Sequence, residues 1–349
     1  MVSDEIMDQF LSRLRKKKIV ARRMDQEKRN DDYSMYVTSG SFTVDYAIGR
    51  PGLQKGTLTA IIGNSGSGKS AIVGDILSSC INYNKARFDE VGLHLLMDEE
   101  HSYSVDYLES RGIDTTAIIR PRPQVLEDLE TVINTLFDFQ RERLRKVWKD
   151  FQIPSIRELT DKFPVSSVFV DTISSMPTSG EIKGQGMVGD AARVVSRLCR
   201  IWQSHIEELN VIMVVVFQQK FQVKTNPFER NNIGKQARGM LPAYYHSDVL
   251  LQTDRLGKKG NLIRCQLKVV KDRLNPEREE MLVPFDFIVG QGISDVKAII
   301  QCACEIGLAE QVTAGKTKVL ESGKVYPNSK AAEILRKSVF EEMFGPDYN

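Results

Sequence analysis

Leu58-Thr59-Ala60-Ile61-Ile62-Gly63-Asn64-Ser65-Gly66-Ser67-Gly68-Lys69-Ser70-Ala71 decides the fold. The apolar, partly β-branched run Leu58 to Ile62 reads as a buried strand, and the pattern from Lys69 to Asn82 reads as a helix. Between them, Gly63 to Ser70 fits GxxxxGK[ST]. In a strand–loop–helix frame that pattern is a phosphate cradle. Its glycines let backbone N–H groups converge on phosphate oxygens, and the helix N-terminus adds a favourable dipole. Lys69 then neutralises the outer phosphates and the Ser70 hydroxyl is placed to ligate Mg²⁺. The candidate nucleotide-binding set is Gly63, Asn64, Ser65, Gly66, Ser67, Gly68, Lys69, Ser70 and Ala71.

Outward from this stretch, apolar runs at Gly92 to Met97, Ser167 to Asp171, Val211 to Phe217 and Ser247 to Gln252 read as further buried strands. Helical patterns lie between the earlier ones, at Ser104 to Arg111, Leu126 to Trp148 and Val188 to Glu208. Strands separated by helices predict right-handed βαβ units and a mainly parallel, twisted α/β sheet covered on both faces. Leu262 to Val270, Glu280 to Pro284 and Asp286 to Val289 follow without an intervening helix and predict a mixed sheet edge. Beyond Ser294 come a helix (Val296 to Ile306), a short β-like region (Lys318 to Tyr326) and a helix (Ser329 to Phe344), a small C-terminal α+β domain. At the other end Ile6, Met7, Phe10, Leu11 and Leu14 form a helical stripe too short to bury itself, a docking segment. The expected organisation is 1–38, a core over 39–292, and 293–349.

With 41% hydrophobic and 27% charged residues among 349, the composition is that of an ordinary soluble protein. No run approaches the about 20 apolar residues a membrane span needs, and Met1 to Phe10 carries no signal-peptide pattern, so a cytoplasmic or nucleoid location is expected. Cys80, Cys199, Cys265, Cys302 and Cys304 show no CxxC spacing, which argues against a zinc site or a disulfide framework. The net charge of +2 identifies no polyanionic partner. Nine Lys and Arg residues between Arg13 and Arg29 make a local basic patch, either a solvated helix face or a nucleic-acid contact.

A phosphate loop needs a nearby acid to hold the metal, and the Ser167 run ends in Asp171, the candidate. Hydrolysis needs a base or a group that orients the attacking water. Met97-Asp98-Glu99-Glu100-His101 follows the second strand, and strand carboxyl ends face the ligand crevice in such sheets. Glu100 is the choice, with Glu99 one residue away and not separable by spacing.

These residues resemble the RecA family of recombinases, including its phage UvsX-type members, over nearly the whole chain. Ser39-Gly40-Ser41-Phe42-Thr43-Val44-Asp45 with Gly52-Leu53-Gln54-Lys55-Gly56 is similar to the family's entry to its core, and Met97 to His101 to its IDAEH-like segment, which implies a catalytic Glu100. Tyr107 then falls at the adenine-stacking tyrosine. Phe217-Gln218-Gln219 resembles the strand-terminal Asn-Gln, implying that Gln219 senses the γ-phosphate. Gly180 to Gly189, with Lys183, Met187 and Val188, corresponds to the first DNA-binding loop, and Arg193 and Arg200 to basic positions on the following helix. Lys220 to Gly239, with Lys220, Lys224, Phe228, Arg230, Lys235 and Arg238, corresponds to the second. Lys268-Val269-Val270-Lys271-Asp272-Arg273 resembles KVVKxK, implying that Lys271 and Arg273 reach a neighbour's ATP as arginine-finger-like charges.

The resemblance implies a DNA-dependent ATPase that uses ATP and Mg²⁺. It implies polymerisation through the N-terminal segment into a helical filament on single-stranded DNA, and strand exchange with homologous duplex DNA, with mediator or single-strand-binding proteins as partners. A hexameric RecA-fold helicase and a non-catalytic recombinase accessory protein are the alternatives. Three departures stand out. Asp138 to Pro164 is long and charged and reads as a surface insertion, Ala243 stands where many bacterial members have lysine, and the sequence ends in Phe344 to Asn349 without their acidic tail.

Overall fold

The computed structural model describes residues 4–16, 35–88, 91–151, 163–187, 189–218 and 244–345. Its centre is a sheet built, among the described residues, from β3 (Leu58–Gly63), β4 (His94–Asp98), β5 (Ile118–Ile119), β6 (Ser167–Asp171), β7 (Ile212–Gln218), β8 (Val249–Lys259), β9 (Leu262–Asp272), β10 (Leu282–Ile288) and β11 (Gly292–Ser294). The order is β11-β10-β9-β8-β3-β7-β6-β4-β5. From β8 to β5 neighbours run parallel, and from β8 to β11 they meander antiparallel. A small pair, β1 (Tyr36–Val37) and β2 (Leu53–Gln54), lies ahead of β3.

The parallel strands read as unbroken apolar runs because both of their faces are covered. Ile61, Leu96, Phe169, Val214 and Val216 pack with the helix Lys69–Phe88 on one side. Their alternates Ala60, Ile62, Met97, Val168, Val170, Met213 and Val215 pack with the helices Leu126–Phe151 and Asp190–Leu209 on the other. The α/β class expected from the alternation is the fold observed. Cys80, Cys199, Cys265 and Cys302 are buried, Cys304 is half-buried, and all five are unpaired. No helix among the described residues is long and apolar enough to cross a membrane.

The C-terminal helices Val296–Glu305 and Asn328–Phe344 flank a three-stranded sheet, β12 (Ala309–Thr313), β13 (Lys316–Val319) and β14 (Lys324–Pro327). Their apolar residues join the cluster around the helix Phe42–Ile48, where Phe42 stacks on Phe340 at 4.6 Å. Asp295 fastens the junction, accepting from Ser41 Oγ (2.8 Å), Thr43 Oγ1 (2.7 Å) and the backbone N–H groups of Phe42 (3.0 Å) and Thr43 (2.9 Å).

Some elements differ from expectation. β8 runs seven residues past Gln252, because its outer part projects beyond the core and carries exposed Arg255, Lys258 and Lys259 instead of apolar alternates. Glu280 to Pro284 and Asp286 to Val289 form one strand, β10, in which Pro284 lies where β11 does not reach, the edge position proline tolerates. β12 escaped notice because four of its five residues are exposed. The start of the charged stretch from Asp138 lies at the surface as part of the helix expected to reach Trp148. It continues the helix to Phe151, with Leu144 buried, Gln140 bonded to Ser166, and Arg141 held by Glu208 (2.7 Å) and His205 (2.7 Å). Residues 152–162 lie outside the described residues.

One buried group sets a pH limit. His94 is fully enclosed; its Nε2 lies 2.5 Å from the Val91 carbonyl, which can only accept, so Nε2 carries the proton and Nδ1 accepts from Ser167 Oγ (2.7 Å). Burial pushes its pKa down to about 4. The folded value lies below the unfolded value of about 6.5, so between the two the unfolded chain binds more protons. This stability is present above pH ~6.5 and lost as pH falls through about 4, on the order of 3 kcal/mol in all. His94→Phe is therefore expected to lose less stability than the parent between pH 7.5 and 4.5 in urea melts, whatever its starting value. Equal losses would remove His94 as the cause.

Candidate nucleotide site

β3 delivers the chain to Gly63 at its carboxyl end, with Thr253 of β8 alongside. A Cβ at Gly63 would lie 2.3 Å from Thr253 Oγ1, so only glycine lets the two strands approach this closely. Gly66 (φ 70°) and Gly68 (φ 89°) take left-handed conformations that turn the loop into the helix Lys69–Phe88. Ser67 Oγ ties the loop to Thr253 Oγ1 (2.7 Å) and to the Asn64 carbonyl (2.8 Å). Lys69 is 7% exposed and its Nζ donates to the Asn64 carbonyl (2.8 Å). Burial lowers its pKa, opposed by the charges of Asp171 and Glu100.

Asp171 ends β6 and is buried; it accepts from Tyr103 Oη (2.7 Å) and from the Ser70 hydroxyl. Burial raises its pKa, while those two bonds and the nearby Lys69 lower it. A buried carboxylate beside a hydroxyl is an oxygen donor pair suited to a hard divalent cation, with the Lys69 ammonium left to face the phosphates. Asp98, its register partner on β4, organises the next segment. It accepts from the N–H groups of Ser102 (2.8 Å) and Tyr103 (3.0 Å) and pairs with Arg120. His101 makes this turn with φ 55°, which folds Tyr103 back so that its hydroxyl reaches both Asp171 and the Ser70 carbonyl (3.1 Å). Within the turn Glu100 is exposed and felt by Lys69, whereas Glu99 is half-buried and raised by burial and by Asp98.

Tyr107 lies on the helix Val105–Ser110, whose N-cap Ser104 accepts from its N–H (3.1 Å). The tyrosine is partly buried, and Arg111 Nη1 donates to its hydroxyl (3.0 Å).

Lys271 and Arg273 sit elsewhere. The end of β9 pairs Asp272 with Val249, which is beside Thr59 at the start of β3, while Gly63 is beside Thr253. Four residues of strand, roughly 13 Å, separate the pair from the loop of the same chain. Lys271 Nζ donates to the carbonyls of Tyr244 (2.5 Å) and Ser247 (2.8 Å); Arg273 Nη2 donates to that of Tyr245 (2.6 Å), and its Nη1 is 3.5 Å from Asp248. Burial and the adjacent Arg273 lower the pKa of Lys271. Between them, buried Asp272 holds Arg50 (2.8 Å) and the N–H groups of Leu274 and Asn275 (both 3.0 Å), fixing the strand end.

At the carboxyl ends of β6 and β7, the short helix Ser179–Ile182 carries a Thr178/Glu181 capping box, and Ser179 N–H is held by Glu127 (3.0 Å). Lys183, Met187 and Arg193 are exposed there, whereas Arg200, also exposed, lies further along the helix Asp190–Leu209, near His246 and the Lys271–Arg273 end of the sheet. Ser174 Oγ accepts from Gln218 N–H (3.1 Å), tying the two strand exits together. Val188, Gln219, Lys220, Lys224, Phe228, Arg230, Lys235, Arg238 and Ala243 lie outside the described residues. Sequence reading passed over Tyr103, Asp98, Arg120, Thr253 and Arg111, because their contacts depend on a turn and on strands that meet only in the fold.

A parallel α/β sheet with this strand–loop–helix cradle beside a buried acidic strand end defines the P-loop class of nucleotide-binding proteins. A family model described as the RecA N-terminal domain matches residues 5–140. Protein RecA of Chloroherpeton thalassium is 25% identical over 312 residues, spanning 86% of this chain and 76% of the relative. Protein RecA of Aquifex aeolicus is 24% identical over 288 residues, 78% of this chain and 71% of the relative. The crystal structure of the RadB recombinase aligns with a TM-score of 0.48 at 19% identity, over 74% of this chain and 98% of that one. Over most of its length the chain is thus similar to proteins of the RecA family.

Proposed function

We propose that this protein is a DNA-dependent ATPase of the recombinase type, which assembles on single-stranded DNA with ATP and Mg²⁺ held between neighbouring chains and pairs that DNA with a homologous duplex. The observation that carries the reading is the split of the site. The phosphate loop with Lys69, Ser70 and Asp171 lies at one end of the sheet and Lys271 and Arg273 at the other, a separation that supports their serving a neighbouring chain's nucleotide instead of their own.

In this reading the loop N–H groups and Lys69 hold the phosphates, Ser70 and Asp171 hold Mg²⁺, and Tyr107 takes the base. Gln219 reports the γ-phosphate. Exposed Lys183, Met187, Arg193 and Arg200, with Val188, meet the DNA backbone together with Lys220, Lys224, Phe228, Arg230, Lys235 and Arg238. Such contacts favour strongly salt-dependent binding with little sequence preference. A strand-exchange assay with and without ATP and Mg²⁺ tests the whole. Joint molecules that need both support it. Closed rings that unwind duplexes would instead identify a helicase, and stimulation of another recombinase without turnover an accessory protein.

Glu100 is assigned as the base or water-orienting group. It lies near enough for its charge to act on Lys69, whereas the charged groups acting on Glu99 are Asp98 and His101. Glu100→Gln is expected to leave nucleotide binding within about twofold and to slow hydrolysis on the order of a hundredfold. A larger loss of turnover in Glu99→Gln would move the assignment by one residue.

A further inference from the structure

We propose that Arg111 is a positioning residue for the base-side tyrosine, setting how firmly the protein holds a nucleotide by its base relative to its phosphates. The inference rests on reading Tyr107 as the residue against which the base stacks. Arg111 caps the helix that carries Tyr107, and its side chain is only 6% exposed. Nη1 donates to the Tyr107 hydroxyl (3.0 Å), and the guanidinium carbon lies 5.5 Å from the centre of that ring. Nη2 is ion-paired with Asp75, on the helix that begins with Lys69.

Two glycines on separate elements leave the space this side chain occupies. A Cβ at Gly74 would lie 2.7 Å from Nη1, and a Cβ at Gly292 on β11 would lie 2.7 Å from Nη2. The guanidinium is thus enclosed by the phosphate-loop helix, the tyrosine helix and β11. Six helical residues, about 9 Å along the axis, separate Asp75 from Lys69. A rigid fork between Asp75 and Tyr107 therefore sets the spacing from the phosphate loop to the base platform. Burial pushes Asp75 up to about 7, aided by Asp295, and Arg111 is the group that opposes this. A buried ion pair for stability alone needs Asp75 and Arg111; the bond to the Tyr107 hydroxyl and the ring contact are additional, and both point to the base.

The test uses the full chain with Mg²⁺ and a ribose-labelled fluorescent ATP, displaced separately by ATP and by inorganic tripolyphosphate, which has no base. Arg111→Gln is expected to weaken ATP about tenfold, the effect of losing one hydrogen bond from a charged donor, while tripolyphosphate stays within about twofold. Arg111→Lys keeps a charge for Asp75 but loses the fork. It is expected to hold the parent's melting temperature better than Arg111→Gln does while still losing part of the preference for ATP, and it gives the same ratio where Arg111→Gln does not fold. Equal weakening of both ligands, or no change in either, would overturn the proposal by reducing Arg111 to a structural tie or to none. Tyr107→Leu separates the layers. If it leaves the ratio of ATP to tripolyphosphate unchanged, the base reading fails and the inference with it; if it collapses the ratio while both Arg111 variants keep it, the inference alone fails.

Discussion

A Lys69→Ala protein is expected to hydrolyse ATP at least roughly a hundredfold more slowly than the parent and to lose most of its nucleotide-dependent DNA binding. The size follows from where the ammonium sits. Lys69 is 7% exposed, its charge opposed by burial and supported by Asp171 and Glu100, so it already occupies a place where solvent screens little. Polyphosphate arriving at the loop would replace the Asn64 carbonyl as its partner. Without Lys69, the buried Asp171 carboxylate faces incoming phosphate with no compensating side-chain charge next to it, so repulsion is added to lost attraction. Turnover under saturating ATP, single-stranded DNA and Mg²⁺ is the measurement, with the melting temperature as a check on folding. Turnover within a few-fold of the parent would remove the site assignment altogether.

The second large effect concerns Lys271 and Arg273. Lys271→Ala/Arg273→Ala is expected to bind ATP as an isolated chain about as well as the parent, yet to lose DNA-stimulated hydrolysis on the order of a thousandfold, the range of an arginine finger. Both side chains rest on the carbonyls of Tyr244, Tyr245 and Ser247, an arrangement a neighbour's phosphate can compete with because Arg273 stays half exposed. Mixing this variant with Lys69→Ala should restore part of the activity. At mixed junctions one orientation joins a sound loop to sound basic residues. If co-assembly on DNA is verified and the mixture stays as inactive as either parent variant, the pair only fastens the end of β9 to the 244–247 turn.

The parts of this molecule that were legible in sequence share a cause. β3, β6 and β7 are covered on both faces, so apolarity alone marks them, and the glycine pattern from Gly63 to Ser70 is fixed by what a backbone must do around phosphate. The outer half of β8 leaves the core, and with it the apolar alternation that would have betrayed it. Around the site the division is similar. Asp171 is announced by the strand it ends, whereas Tyr103 acquires its place only because His101 turns the chain back onto Asp98. Arg111 meets Asp75 across 36 residues and Gly292 across a much longer separation, and no local pattern encodes either meeting.

On the proposed reading, a sheet with a phosphate loop at one end and two basic side chains at the other would make each chain a link with a front and a back. Links joined front to back have a direction, and an open row of them always leaves one terminal loop without its completing neighbour. A pair of chains then completes one site out of two, a long row nearly all of them, and a closed ring every one. Activity per chain would rise with length without any chain changing shape, so short rows would run down slowly at their joints and long rows would cost the cell the most nucleotide. A measurement of turnover against mean row length reads this polarity directly, since a ring gives a flat line and a row a rising one.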